Sequence, residues 1–96
     1  MDVEWDKDPK NKRNKAKLNE VKHHILLSDV EPVLYDPLAV TVEDVTADGE
    51  HRFITTGSDI FGRVLTVVYT WRGDNIRIIS ARKATNKEIR HYESGI

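Results

Sequence analysis

Hydrophobic and polar positions alternate most clearly between residues 62 and 85. Two runs rich in Val, Ile, Thr and aromatic residues, 63–71 and 75–82, are joined by Arg72, Gly73 and Asp74. β-Branched and aromatic residues favour strands, and a short Gly-containing connection favours a hairpin. Apolar residues occur on both faces of the first run, which predicts a strand buried on both sides. We therefore expect this hairpin to form the centre of a sheet.

Strict alternation also divides the residues of each run between two faces. In the first run, Arg63 shares a face with Leu65, Val67 and Tyr69. In the second run, one face carries Ile76, Ile78, Ser80 and Arg82, and the other carries Arg77, Ile79 and Ala81. Further strands are predicted for residues 2–6, 38–45 and 50–56, with turns at 47–49 and 57–62.

Three helices are predicted from spacing and capping signals. Residues 10–24 are good helix formers with an apolar stripe at Leu18, Val21 and Ile25. Ser28 and Glu31 have the spacing of a capping box for a short second helix, in which Pro32 would lie near the first turn and Val30, Val33 and Leu34 would point inward. Thr85 and Glu88 form a similar pair before a third helix that carries Ile89 and Tyr92 and ends near Ser94 and Gly95.

These elements predict one small α+β domain over residues 1–96, with a central antiparallel sheet, two N-terminal helices and one C-terminal helix. Ninety-six residues suffice for one modest core. The chain has no cysteine, so neither disulfides nor a thiolate zinc site is expected to hold it together. No run approaches the roughly 18 apolar residues of a membrane span, and the N-terminus is charged, so we expect a cytoplasmic protein.

Charges are segregated along the chain although the net charge is only -1. Residues 7–24 are rich in Lys and Arg, residues 28–50 carry acids and neither Lys nor Arg, and residues 51–90 are again mainly basic. Basic blocks that meet in space would attract a polyanion such as RNA. The alternative is that the lysines of residues 7–17 form only a solvated helix face.

Several short motifs, in order along almost the whole chain, resemble the BrnT toxins of type II toxin–antitoxin systems, a RelE-like ribonuclease family. The matching pieces are Glu4-Trp5-Asp6, Asn19 with Lys22-His23, Asp36-Pro37-Leu38-Ala39, Gly49-Glu50 with Arg52-Phe53, Gly62-Arg63-Val64-Leu65, Val67-Val68-Tyr69, Arg77-Ile78-Ile79-Ser80-Ala81-Arg82 and Tyr92-Glu93. Two departures are a longer segment around residues 7–14 and His24 at a position where many members have Gly. The second departure weakens the expectation of a left-handed cap after the first helix.

The resemblance implies a metal-independent endoribonuclease that cuts messenger RNA. It also implies neutralisation by a BrnA-like antitoxin, which would supply the DNA-binding half of a hetero-oligomeric complex. No cofactor is expected. His24, His51 and His91 have no ligand-like spacing with acids, so no metal site is expected either.

Metal-free RNA cleavage needs a base for the 2′-hydroxyl, cations for the phosphate and an acid for the leaving oxygen. His23 is the candidate for proton transfer, because imidazoles titrate near neutral pH; otherwise it caps the end of its helix. Arg63 and Arg82 are the candidate phosphate clamps, because guanidinium groups bind phosphate oxygens in pairs. The alternative is that these two arginines pair with Asp59, Asp74 or Glu93.

Tyr92 resembles the C-terminal tyrosine that RelE-like enzymes place at the cleavage site, although a core role is equally compatible with its spacing. Lys22, Arg52, Arg72 and Arg77 are candidates for binding RNA, and Trp71 at the hairpin tip could stack on a base or contact an antitoxin. Two non-catalytic alternatives remain at this point: a silent partner of an antitoxin and an RNA-binding module. Only the enzyme requires a proton-transfer residue beside the arginines.

Overall fold

A computed structural model describes residues 2–5, 24–46 and 49–95. In this part of the chain there are five strands and two helices. They are β1 (Val3–Trp5), α1 (Leu27–Tyr35), β2 (Val40–Val45), β3 (His51–Ser58), β4 (Val64–Arg72), β5 (Asn75–Lys83) and α2 (Asn86–Glu93). The helix predicted for residues 10–24 lies outside the described residues except for His24, which is not helical.

All five strands form one sheet in the order β1-β5-β4-β3-β2. The predicted β4–β5 hairpin is confirmed, and β4 is the central strand. Gly73 in the hairpin turn has φ +62°, a conformation that glycine adopts without steric cost. β2 to β5 are antiparallel neighbours, but β1 pairs with β5 in parallel, so the sheet is not entirely antiparallel.

A β-bulge in the hairpin changes which residues of β5 share a face. Val68 pairs with Ser80 and Tyr69 pairs with Ile78, so Ile79 is an extra residue without a partner in the register. Strict alternation is therefore wrong across this point. Ile76, Ile78 and Ala81 are buried together on one face, whereas Arg77, Ser80 and Arg82 lie on the other.

The core lies between α1 and the first of these faces, which we call the α1 face. Its fully buried members are Ile25, Val30 and Val33 from the α1 region and Leu65, Val67 and Ile78 from the sheet. Removing each such side chain from water contributes about 1.5–3 kcal/mol. The inward positions predicted for Val30 and Val33 are confirmed, and Leu34 packs at the margin.

The predicted start of α1 is wrong by two residues. Its N-cap is Leu26 rather than Ser28, and the carboxylate of Asp29 accepts a hydrogen bond from the Leu26 N–H at 2.9 Å. Pro32 consequently lies inside the helix, beyond the first turn. The cap of α2 agrees with the prediction, since Thr85 accepts from the Glu88 N–H and Glu88 accepts from the Thr85 N–H.

The turn predicted to begin at Gly57 starts later, because β3 extends to Ser58. Glycine at position 57 permits β3 to approach the end of α1 closely. A Cβ atom on Gly57 would lie 3.0 Å from the carbonyl oxygen of Val33 and 3.2 Å from the Cβ of Ala39. Interatomic distances this short are rare, so a larger residue would push α1 away from the sheet. Gly57 therefore sets the distance between β3 and the end of α1.

Candidate functional site

Four arginines lie on the sheet face opposite α1, which we call the arginine face. Arg52 belongs to β3, Arg72 to β4, and Arg77 and Arg82 to β5. The first three lie towards the hairpin tip, whereas Arg82 lies at the opposite end, about 15 Å from Arg77 along the strand. Without the bulge, Arg77 and Arg82 would point to opposite sides.

Three of these four arginines form ion pairs with acidic residues. Arg52 lies 3.5 Å from Glu50, and the Nε of Arg77 lies 3.2 Å from Glu4. The side chains of Arg52 and Arg77 are 39% and 34% exposed, so these ion pairs are in contact with solvent. Exposed pairs of this kind contribute only about 0–1 kcal/mol. A phosphate could therefore replace the carboxylates at small energetic cost.

Arg82 makes a forked contact with Glu88 on α2. Its two terminal nitrogens donate to the two carboxylate oxygens at 2.7 and 3.1 Å. Hydrogen bonding from Arg82 lowers the pKa of Glu88 to about 2, and the same bond raises the pKa of Arg82. The Arg82 side chain is nevertheless 42% exposed, so its outer surface faces solvent. The Glu88 carboxylate thus orients a guanidinium that remains accessible.

Tyr92 lies one turn after Glu88 on α2 and donates its hydroxyl to Asp36 at 2.6 Å. Hydrogen bonding to this carboxylate, together with burial, raises the pKa of Tyr92 to about 12. Burial alone would raise the pKa of Asp36, but hydrogen bonds from Tyr92, Ser58 and Leu38 lower it overall. The phenol is therefore protonated at neutral pH and serves as a hydrogen-bond donor rather than a base.

The Tyr92–Asp36 bond also connects the two layers of the fold. Asp36 is the C-cap of α1, which packs on the α1 face, whereas α2 packs on the arginine face. A second Asp36 contact, from the Ser58 N–H at 2.9 Å, fixes the carboxylate at the end of β3. Tyr92 thus reaches over the end of the sheet near Arg82.

Arg63 lies at this same end of the sheet, but on the α1 side. Its Nε donates to Asp59 at 2.7 Å, a terminal nitrogen lies 3.1 Å from Asp29, and another donates to the His24 carbonyl at 3.1 Å. Hydrogen bonding to Asp59 raises the pKa of Arg63. Asp59 is one of the alternative partners named from the sequence. Arg63 and Arg82 therefore do not face a common groove.

A cavity of about 500 Å³ borders Arg63. Its walls include His24, Leu26, Ile60 and Phe61. The Arg63 guanidinium lies 6.0 Å from the centre of the Phe61 ring, and Ile60 and Phe61 are both 71% exposed. The cavity is thus an open, largely apolar depression beside a fixed cation.

His23 and Lys22 lie outside the described residues. Their neighbour His24 has φ +55°, a left-handed conformation that is uncommon without glycine. A left-handed residue is therefore present at this position although His24 replaces the glycine found in many members, so the doubt raised by that departure is wrong. Since Arg63 binds the His24 carbonyl, it fixes the backbone immediately after His23.

Trp71 and Arg72 diverge at the hairpin tip, because neighbouring strand residues point to opposite faces. Trp71 pairs with Ile76 on the α1 face and is 43% exposed, whereas Arg72 lies on the arginine face. In the described ranges, no group of three or more His, Cys, Asp or Glu side chains could hold a metal ion. The same ranges contain no helix long and apolar enough to cross a membrane.

A family model described as the ribonuclease toxin BrnT of type II toxin–antitoxin systems matches residues 5–88. The chain belongs to this BrnT family. A search of curated proteins found no match. BrnT membership identifies a ribonuclease toxin, and with it an RNA substrate and an antitoxin partner. The match runs from the last residue of β1 to the first turn of α2 and includes all four arginines of the arginine face.

Three acidic residues that contact the candidate site residues were not recognised as their partners from the sequence. Asp29 was not considered as a partner of Arg63, Asp36 was named only as part of a family motif, and Glu88 was interpreted only as a helix cap. A signal existed for Glu88, because the N3 residue of a helix that follows β5 directly must lie close to the end of that strand. No comparable signal connects Asp36 with Tyr92, which is 56 positions away.

Proposed function

We propose that this BrnT family member is a metal-independent endoribonuclease that cuts messenger RNA and inhibits translation in the cytoplasm. We further propose that a BrnA-like, DNA-binding antitoxin neutralises it in a hetero-oligomeric complex. The observation that carries this proposal is the arginine face of a BrnT chain: four guanidinium groups on one side of a sheet, with an oriented but accessible Arg82 at its end.

RNA would bind along the arginine face from the hairpin tip towards Arg82. Phosphates would replace Glu50 and Glu4 at Arg52 and Arg77, and Arg72 would add a further cation. Guanidinium groups suit this exchange because their donor geometry matches phosphate as well as carboxylate. This arrangement would suit a single strand, because a positively charged surface can follow the backbone of an unpaired strand.

The reaction would take place at the end of the sheet that carries Arg82. The 2′-oxygen loses its proton to a base and bonds to phosphorus, while the bond from phosphorus to the 5′-oxygen breaks and an acid protonates that oxygen. The products are a 2′,3′-cyclic phosphate and a 5′-hydroxyl. Arg82 would stabilise the charge on the non-bridging oxygens.

His23 would transfer the proton and Tyr92 would donate a hydrogen bond to the reacting phosphate once it leaves Asp36. Arg63 would act as a positioning residue, since it holds the backbone after His23 through the carbonyl of His24. The family match supports the reaction class.

The test uses toxin freed from antitoxin and incubated with naked RNA in EDTA. Arg82→Ala should lower the cleavage rate by about 10²–10³-fold, the effect expected when a donor that stabilises the transition state is removed. Glu88→Gln is the matched control, because it removes the same ion pair and keeps the arginine. It should lose far less activity than Arg82→Ala, because the glutamine side-chain oxygen still accepts a hydrogen bond from the guanidinium. Equal losses in both variants would mean that the ion pair, not Arg82, is what cleavage requires.

His23→Ala should lower the rate by about 10²–10⁴-fold, the range for removal of a general acid or base. His24→Gly is its control, because glycine accepts the left-handed conformation observed at this position. Full activity of His23→Ala would remove that residue from the mechanism. Loss of activity in EDTA that returns with a divalent cation would contradict metal independence.

RNA binding without cleavage is the second candidate function. It is favoured by one observation: the Tyr92 hydroxyl is already committed to Asp36, and its raised pKa makes it a weak acid. The two functions are separated by the same assay. Retention of RNA on the wild-type protein with no cyclic-phosphate product would favour binding alone.

A further inference from the structure

β2 is an edge strand of the sheet, and no other strand of the described residues pairs with its outer side. It is the last strand in the order, and Val42 and Val45 are 53% and 54% exposed. The Thr46 N–H donates to the main-chain carbonyl of Glu50. In an antiparallel pair only every second residue of a strand bonds to the neighbouring strand, so this bond and the register show which residues of β2 bond to β3. The N–H and C=O groups of Thr41, Glu43 and Val45 therefore point away from β3. They form a row of donors and acceptors to which another strand could bind.

A shallow groove lies beside this edge on the arginine face. Val40, Val42, Ile54 and Thr56 form its floor, and His91 on α2 forms one side. Its volume is about 200 Å³, enough for one apolar side chain. A strand added to β2 would place every second residue on this face, because side chains alternate along a strand. One of them would lie over Val42 and fill the groove.

The charge of this edge selects the partner. Residues 28–50 carry acids and neither Lys nor Arg, and β2 itself carries Glu43 and Asp44. Asp44 forms no ion pair within the described ranges. A second copy of this chain would bring like charges together across the new strand pair, which is destabilising. A basic extended segment would instead pair with both carboxylates.

We propose that an extended, basic segment of the antitoxin pairs with β2 as a sixth strand and inserts an apolar side chain into the groove beside His91. This inference rests on the proposed neutralisation by an antitoxin, and it adds the recognition mode and the surface. Main-chain hydrogen bonds would supply affinity, and the groove and the two acids would supply specificity. The added strand would border the arginine face at Val42 and Asp44, so the remainder of the antitoxin would begin beside the RNA site.

Amide hydrogen exchange on the complex of this toxin with its antitoxin tests the proposal directly. In the free toxin, the N–H groups of Val40, Val42 and Asp44 are bonded to β3, whereas those of Thr41, Glu43 and Val45 face outward. Binding should slow exchange specifically in the outward set. Unchanged exchange there in a formed complex would overturn the proposal. The proposal would also be overturned if the outward N–H groups exchanged slowly in the free toxin and light scattering showed a dimer, because a second copy would then occupy the edge.

Two variants at one position separate the backbone from the side chain. Glu43→Pro removes an outward N–H and no main-chain bond to β3, and proline is tolerated at such edge positions. It also removes the contact between the Glu43 carboxylate and His51. It should weaken antitoxin binding by about 10–100-fold, the loss expected when a buried hydrogen bond cannot form. Glu43→Ala removes the same carboxylate and its contact with His51 but keeps the outward N–H, so it should weaken binding less, with a smaller salt dependence.

Both variants should cleave RNA like the wild type, which also reports that they are folded. Equal affinity of Glu43→Pro and Glu43→Ala for the antitoxin would overturn strand addition. If wild-type toxin and antitoxin form no complex at all, the proposed neutralisation fails and this inference fails with it. A complex that forms without protection of β2 refutes only the inference.

Discussion

Removal of the Arg63 side chain should lower the free energy of unfolding, and not only the cleavage rate. The side chain of Asp59 is fully buried and that of Asp29 is 9% exposed, and both lose their cation in Arg63→Ala. Breaking a buried ion pair from one side costs about 3–5 kcal/mol. Because the Arg63 side chain is itself 28% exposed, we expect a smaller loss, about 2–4 kcal/mol. Asp59 keeps hydrogen bonds from the N–H groups of Phe61 and residue 63.

Urea and thermal unfolding followed by circular dichroism measure this loss. For a domain of this size, 2–4 kcal/mol corresponds to a decrease of about 8–30 °C in the melting temperature. Arg82→Ala is the matched control, because its ion pair is more exposed and should contribute no more than about 1 kcal/mol. The double variant Arg63→Ala/Asp59→Asn should recover part of the loss, since it removes the buried charge and keeps an acceptor oxygen.

The result that refutes this reasoning is an Arg63→Ala protein as stable as the wild type. If such a protein also lost cleavage, Arg63 would act on RNA and not mainly on the fold. If it is destabilised as expected, its cleavage rate must be compared at a temperature where both proteins are folded. Any decrease in cleavage rate that remains under those conditions then measures how much the reaction depends on Arg63 as a positioning residue for the chain beside His23.

Three further predictions concern stability. Gly57→Ala should cost about 1–3 kcal/mol in urea unfolding, because its methyl group would press on the Val33 carbonyl, and an unchanged midpoint would contradict the close approach. The pKa of Glu88 falls from 4.5 to about 2, so its stabilisation is present above pH 4.5 and is lost as the pH falls towards 2; Glu88→Gln should lack this loss when urea midpoints are compared across that range. The pKa of Tyr92 rises from 10.0 to about 12, so its stabilisation is present below pH 10 and is lost between pH 10 and 12; Tyr92→Phe should lack the loss, and ultraviolet titration should show the wild-type phenol ionising late.

The sequence by itself determined the features that depend on local pattern. Alternating β-branched residues and Gly73 located the central hairpin, because strand preference and turn geometry act over a few residues. The Thr85–Glu88 capping box located the start of α2 for the same reason. Family membership could also be predicted from the sequence, because each of the motifs that carry it is contiguous or closely spaced.

Tertiary structure decided which of these residues meet. The bulge at Ile79 moves Arg82 to the face of Arg77, and only pairing with β4 fixes where the extra residue lies. Asp29 meets Arg63 because α1 packs above the start of β4, a contact across 34 positions that local periodicity does not contain. A one-residue change of register reverses the face of every side chain beyond it, so the composition of the arginine face could not be obtained before the sheet was assembled.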